Sequence, residues 1–172
     1  MICMVLGTPD SGKSKRAEDI TCKLSGDGKR YYIATMIPFG KEGQERVEKH
    51  RKMRAGKGFE TIECPVRVHE VTQKIDDGKN ATCLLECMSN LVGNELHEPD
   101  TEKEGKTIEQ ISEYILGSVM ELAGAVKNLV IVSNSFPLEG EGYDEDTRRY
   151  VKTVDMVNKL LRQRVDEFYE LT

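Results

Sequence analysis

The chain has 172 residues, 38% of them apolar and 32% charged, with a formal net charge of −5. That length suits a single domain, 1–172, with its own core, and the charge content suits a soluble protein with well-solvated helices. The negative balance argues against nucleic-acid binding by bulk electrostatics, and no stretch approaches the apolar length of a membrane span.

The apolar run Ile2-Cys3-Met4-Val5-Leu6 reads as a buried first strand. It is too short for a signal-peptide core and leads directly into a glycine loop. Gly7-Thr8-Pro9-Asp10-Ser11-Gly12-Lys13-Ser14 then fits G-x-x-x-x-G-K-[ST] at every fixed position. A helix from Ser14 to about Leu24 should follow, ended by Ser25-Gly26-Asp27-Gly28. Strand, glycine loop and helix together make a phosphate cradle. Backbone N–H groups converge on phosphate oxygens, and the helix N-terminus adds partial positive charge. Lys13 would reach the outer phosphates and the Ser14 hydroxyl would ligate Mg²⁺.

Residues 30–35 read as a second strand, and Pro38, Gly40 and Gly43 break the chain after it. A basic helix is expected from Gln44 to about Ala55, closed by Gly56-Lys57-Gly58. Residues 59–64 alternate as a short strand, and Val68, Val71 and Ile75 mark a short helix. Residues 81–87 form a fourth, apolar strand. Residues 88–97 turn helical, and an acidic loop spans 97–106. Thr107 and Gln110 have capping-box spacing at the head of a helix running to about Val126. Residues 129–133 are a fifth strand, 135–143 a loop rich in Gly and Glu, and the last helix runs from Asp144 to near the end. Strands alternating with helices imply an α/β fold with a mostly parallel sheet covered on both faces.

Five cysteines, at 3, 22, 64, 83 and 87, form no C-x-x-C pair. The odd count and the two placed in buried strands suit reduced thiols in a cytoplasmic protein. His69 and His97 have no partners at metal-ligand spacing and read as structural or surface residues.

Two constellations could carry chemistry. Glu86 ends the fourth strand, where a carboxylate in P-loop proteins supports Mg²⁺ or its water shell; a strand-end Glu facing solvent is the alternative. Arg46, His50 and Arg54 recur at i, i+4, i+8 and share one face of the basic helix. Guanidiniums there would hold phosphate oxygens and disfavour the imidazolium, leaving a neutral His able to attack phosphorus. The same pattern also describes a solvated charged helix with an incidental His, the commoner case for a charge run.

Taken together, these residues resemble the bifunctional adenosylcobinamide kinase / adenosylcobinamide-phosphate guanylyltransferase family of cobalamin biosynthesis. The likeness covers nearly the whole chain. It includes the P-loop, Tyr32-Ile33-Ala34-Thr35, and Glu42, Arg46, His50 and Arg54 as E-x-x-x-R-x-x-x-H-x-x-x-R. It continues through Thr61, Glu63, Leu84-Leu85-Glu86-Cys87, Asn94, Ser133-Asn134, Arg148, Tyr150 and Asn158.

The resemblance implies a RecA-like P-loop NTPase fold and a homo-oligomer, often a trimer in the family. It implies ATP or GTP as substrates with Mg²⁺, adenosylcobinamide as the corrinoid acceptor, and GMP carried on His50. By position, Gly7, Thr8, Pro9, Asp10, Ser11, Gly12, Lys13 and Ser14 would hold phosphates. Ala34, Thr35, Arg51, Lys52, Met53, Arg54, Glu63 and Glu86 would line the guanine-nucleotide site, with Ser14 and Glu86 serving Mg²⁺.

Three departures from the family pattern stand out. Asp10 falls where the family commonly has Arg, and a carboxylate near phosphates is unfavourable unless it points away or meets a cation. The loop after Asn134 is rewritten as Ser135-Phe136-Pro137-Leu138-Glu139-Gly140-Glu141-Gly142. The family's closing strand finds no counterpart, so the chain is expected to finish on its last helix. These departures keep two other readings open, a single-activity small-molecule kinase and a nucleotide-binding protein without turnover.

Overall fold

A computed structural model describes residues 1–98 and 105–172. Most of the acidic loop expected over 97–106 lies outside the described residues. Six strands form one sheet: β1 (Ile2–Gly7), β2 (Arg30–Ala34), β3 (Phe59–Glu63), β4 (Thr82–Glu86), β5 (Asn128–Asn134) and β6 (Glu167–Leu171). Their spatial order is β3-β2-β4-β5-β1-β6, and every pairing is parallel. The helices are α1 (Lys13–Ser25), α2 (Gly40–Arg54), α3 (Met88–His97), α4 (Ile108–Ala125) and α5 (Glu145–Arg162). A 3-10 turn at Val68–Lys74 takes the place of the short helix expected there.

The pleat sorts the strand residues into two cores. Met4, Tyr31, Ile33, Cys83, Leu85, Leu129 and Ile131 face α3, α4 and α5. Cys3, Val5, Tyr32, Leu84, Val130 and Val132 face α1 through Ala17, Ile20 and Leu24. Burial on both faces explains why these strands read as apolar runs rather than alternating ones. All five thiols are free, and burial raises those of Cys3 and Cys83 to about 11 and about 12. The Thr107–Gln110 capping box forms as the spacing implied: each side chain bonds the other residue's backbone N–H.

One expectation is overturned. The chain does not finish on its last helix. α5 stops at Arg162, and β6 pairs in parallel with β1 from Cys3↔Glu167 to Gly7↔Leu171. Asp166 anchors the new strand, its carboxylate and its N–H bonding the backbone of Ile2 at 2.7 and 2.8 Å. The run Glu167-Phe168-Tyr169-Glu170-Leu171 lacks clean alternation because it is an edge strand. Phe168 packs on one core while Tyr169 and Leu171 pack on the other, with charge left at the rim.

α2 differs from the other helices. It begins four residues earlier than expected, and it contributes no residue to either core. Its buried residues are Gly43 and Arg54.

Candidate active site

The parallel sheet brings its strand C-termini to one rim, where α/β proteins bind ligands. β1 ends there in Gly7. A side chain at this position would press on the Ser11 hydroxyl and come within 3.0 Å of the Leu171 carbonyl, so β6 walls the loop from behind. Gly12 takes a left-handed conformation (φ 85°) that turns the loop into α1. The Lys13 ammonium folds back and donates to the Thr8 carbonyl at 3.2 Å. Burial lowers the Lys13 pKa, opposed by the nearby charges of Glu86 and Asp10. Asp10 is exposed, and its charge acts on Lys13.

Glu86 is the hub of the rim. It is buried at the end of β4. One carboxylate oxygen accepts from the Ser14 hydroxyl of the P-loop. The other accepts from the Tyr32 hydroxyl at 2.7 Å and lies 3.9 Å from His50 Nδ1. Burial, then the neighbouring Glu86 carboxylate, pushes the Tyr32 phenol far above its ordinary pKa, so the phenol stays protonated. The Arg54 guanidinium sits 3.5 Å from the Tyr32 ring centroid, a close cation–π stack.

The Arg46–His50–Arg54 stripe thus runs from water into the protein. Arg46 is exposed, His50 half-buried and Arg54 buried. His50 meets a carboxylate as well as cations, a neighbour that helix periodicity could not supply.

Three polar atoms in this region are buried without a hydrogen-bond partner: Ser11 Oγ, His50 Nδ1 and Arg54 Nη1. Buried polar groups in folded proteins are nearly always satisfied, so these three unpartnered atoms set the rim apart from the rest of the fold. The donor set, a lysine, an arginine, a histidine and a helix N-terminus, suits phosphate.

Not every residue anticipated for the site is gathered there. Ala34 lies between Glu63 on β3 and Glu86 on β4. Thr35 follows it, its hydroxyl accepting from the Cys87 N–H at 2.9 Å. Glu63 is exposed at the same rim. Arg51 and Lys52 are exposed on α2, and Met53 is half-buried. Thr8 and Pro9 are exposed in the loop.

Behind the P-loop lies a second network. Asn134 Nδ2 donates to Ser89 Oγ at 2.5 Å, and the Tyr150 hydroxyl donates to the Ser89 carbonyl at 3.1 Å. Ser133 Oγ donates to Asn158 Oδ1 at 2.5 Å, while Asn158 Nδ2 donates to the Asn134 carbonyl at 3.1 Å. Asn94 Nδ2 bridges the carbonyls of Thr35 and Pro65 at 2.7 and 2.9 Å. These contacts fix the rim without touching the orphaned atoms. Arg148 lines a separate cleft of about 550 Å³ with Leu138, Glu139, Gly140, Glu141 and Lys152, on the rewritten loop.

His69 and His97 prove structural. His69 pairs with Ser118 Oγ at 2.8 Å, and His97 with Asp146 at 3.0 Å.

Among protein families, the profile described as cobinamide kinase / cobinamide phosphate guanyltransferase matches residues 3–172. The chain belongs to this family. The family's reactions imply a nucleotide and cobinamide or its phosphate as substrates, within cobalamin biosynthesis. A comparison with curated proteins gave no match. Among solved structures, the ATPase domain of G40P is similar with a TM-score of 0.53 and 11% identity, over 99% of this chain and 69% of that one. A DnaB-like replicative helicase, described with its interactions with primase, gives a TM-score of 0.47 and 12% identity, over 86% of this chain and 43% of the other. The first likeness shows the fold, that of a P-loop ATPase domain, as the loop and the parallel sheet require. Among the described residues no helix is long and apolar enough to cross a membrane.

Sequence reasoning missed Tyr32 as the link between Glu86 and Arg54. The link rests on register: Tyr32 lies two residues before Ala34, which pairs with Glu86, and so shares Glu86's side of the pleat.

Proposed function

We propose that this member of the cobinamide kinase / cobinamide phosphate guanyltransferase family carries GMP on His50. The observation behind the reading is the convergence of His50, Tyr32 and the P-loop Ser14 on the single carboxylate of Glu86, with Arg54 stacked on the Tyr32 ring. His50 turns Nδ1 toward Glu86, which leaves Nε2 as the attacking atom. Nε2 bonds to the α-phosphorus of GTP while the bond from that phosphorus to the bridging oxygen breaks. Pyrophosphate leaves with the electron pair. The ring proton stays on Nδ1, where Glu86 balances the charge gained by the imidazole. In the second half-reaction a phosphate oxygen of adenosylcobinamide phosphate attacks the same phosphorus. The P–N bond breaks, His50 recovers its lone pair and adenosylcobinamide-GDP is released.

Lys13, Arg51 and Arg54 meet the phosphate charge, and Ala34, Thr35, Lys52, Met53 and Glu63 surround the nucleotide. The kinase step places the nucleotide's outer phosphates at Lys13, with the corrinoid hydroxyl as acceptor. Ser14 Oγ and Glu86 offer the oxygen ligands of a P-loop Mg²⁺, which typically takes one or two protein oxygens with the rest from phosphate and water. When bound, the ion neutralises charge on the phosphates.

Incubation with α-labelled GTP tests the reading. Wild-type protein should become labelled through an acid-labile bond, γ-labelled GTP should leave no such label, and His50→Ala should abolish it. Unlabelled wild type that still binds GTP would overturn the covalent route in favour of a single-activity kinase or a binding protein.

A further inference from the structure

Glu18 is the anomaly of α1. It lies on the helix's buried face with Ala17 and Thr21 and has no exposed surface. Among the described residues its one cationic partner is Lys57, whose ammonium donates to Glu18 Oε1 at 3.0 Å. The other oxygen, Oε2, is buried without a hydrogen-bond partner. A buried carboxylate held by one cation contributes little net stability; apolar side chains of similar size often serve a fold as well or better. What a fixed ion pair supplies is orientation.

Lys57 lies in the turn that follows α2. Gly56 and Gly58 flank it in left-handed conformations, φ 78° and 76°. Its N–H donates back to the Arg54 carbonyl at 3.0 Å. Its carbonyl is taken by the Arg30 guanidinium, which also bonds Ser25 Oγ at 2.5 Å and the Gly26 carbonyl at 2.8 Å. The turn is therefore pinned to α1 by both its side chain and its main chain. His50 stands four residues before the end of α2, about 6 Å back along the helix. α2 has no apolar seat on the sheet, and at its other end Phe39 is 78% exposed. The aim of His50 at the rim therefore depends on polar ties at the helix's C-terminal end.

We infer that Glu18 and Lys57 are positioning residues for His50, holding the helix that carries the nucleophile at a fixed angle to the P-loop helix. The inference rests on His50 as nucleophile, but the latch itself can be read without that chemistry.

The double variant Glu18→Gln/Lys57→Met removes both charges and leaves no buried ion unpaired. Amide hydrogen exchange over residues 45–55 should speed up, and the rate of covalent GMP incorporation should fall about tenfold or more. GTP affinity should stay within about twofold, since the P-loop contacts remain. Lys57→Arg, which can still reach Glu18, should recover most of the labelling rate.

Unchanged exchange, or labelling at the wild-type rate, would overturn the inference. So would a labelling loss matched by an equal loss of GTP affinity, which would assign Glu18 to the P-loop itself. Should the double variant fail to fold, Glu18→Gln, which leaves only the part-exposed Lys57 charge, is judged by the same measurements. Should wild type take no label, the covalent reading fails, while the exchange data still decide whether the latch orients α2.

Discussion

The two halves of the site are held by different physics. The P-loop half grows out of β1 and α1, which share a core with the rest of the sheet: Cys3, Val5, Ala17, Val130 and Val132 are buried together. Its geometry is over-determined by packing, so the loop is placed wherever the sheet folds. The α2 half has no such foundation. Gly43 and Arg54 are its buried residues, and His50 is located by a carboxylate 3.9 Å away, a stacked arginine and an ion pair beyond the helix end. Apolar burial is non-directional and strong, whereas polar ties are directional and individually modest. The phosphate cradle is thus the robust partner and the nucleophile the adjustable one.

Substitutions can break or sharpen that contrast. The largest effect is expected in the sheet. Leu85→Ala opens a cavity in a fully buried strand beside Glu86 and should cost about 2–5 kcal/mol in denaturant unfolding. Lys49→Ala, on the exposed face of α2, should stay within about 0.5 kcal/mol in the same experiment. Comparable losses from the two would mean that α2 is integral to the core after all. A middle-sized effect is expected at the joint between the halves. Arg54→Ala removes the stack on Tyr32 and should weaken GTP binding about tenfold, or about 1.4 kcal/mol, by titration calorimetry. Arg54→Lys keeps the charge but not the planar face and should restore only part.

The smallest effect belongs to a polar tie remote from the rim. His97 donates to the Gly93 carbonyl at 2.7 Å and to Asp146 at 3.0 Å, joining α3 to α5. The hydrogen bond to Asp146, then that to the Gly93 carbonyl, raises the His97 pKa above its ordinary 6.5. Because the folded value is the higher one, the stabilisation is fully present below the unfolded pKa and fades as pH rises through the folded value. Melting temperatures of wild type and His97→Ala should therefore differ slightly at about pH 5.5 and converge in mildly alkaline buffer. The pair is exposed, so added salt should shrink the gap. A gap that widened with pH would refute the assignment.

The sequence was most informative where local rules and tertiary context agree. The G-x-x-x-x-G-K-[ST] spacing, the apolar strands and the Thr107 capping box all report local geometry, and each forms as read. It was least informative at the chain's other edge. Nothing between Leu161 and Glu167 is a Gly or Pro stop signal, so a helical stripe reads on through the point where β1 captures the chain as β6. The Arg46–His50–Arg54 stripe was visible as a face, but which way the face pointed was not. That depended on Tyr32 and Glu86, residues on different strands that come together only through sheet register. Glu18 was hidden for a related reason: an acid on an amphipathic helix looks solvated until the buried side is known.

Tyr32 also makes the site optically legible. The protein has six tyrosines and no tryptophan, so its ultraviolet emission comes from phenols alone. Tyr32 donates its hydroxyl to the Glu86 carboxylate beneath a guanidinium, a setting that suppresses phenol emission; Tyr169, with Glu167 and Arg16, shares that chemistry on the edge strand. A ligand that draws Glu86 or Arg54 toward itself releases that suppression. Nucleotide arrival at this rim should therefore be visible as a rise in intrinsic fluorescence from unlabelled protein, with Tyr32→Phe as the silent control.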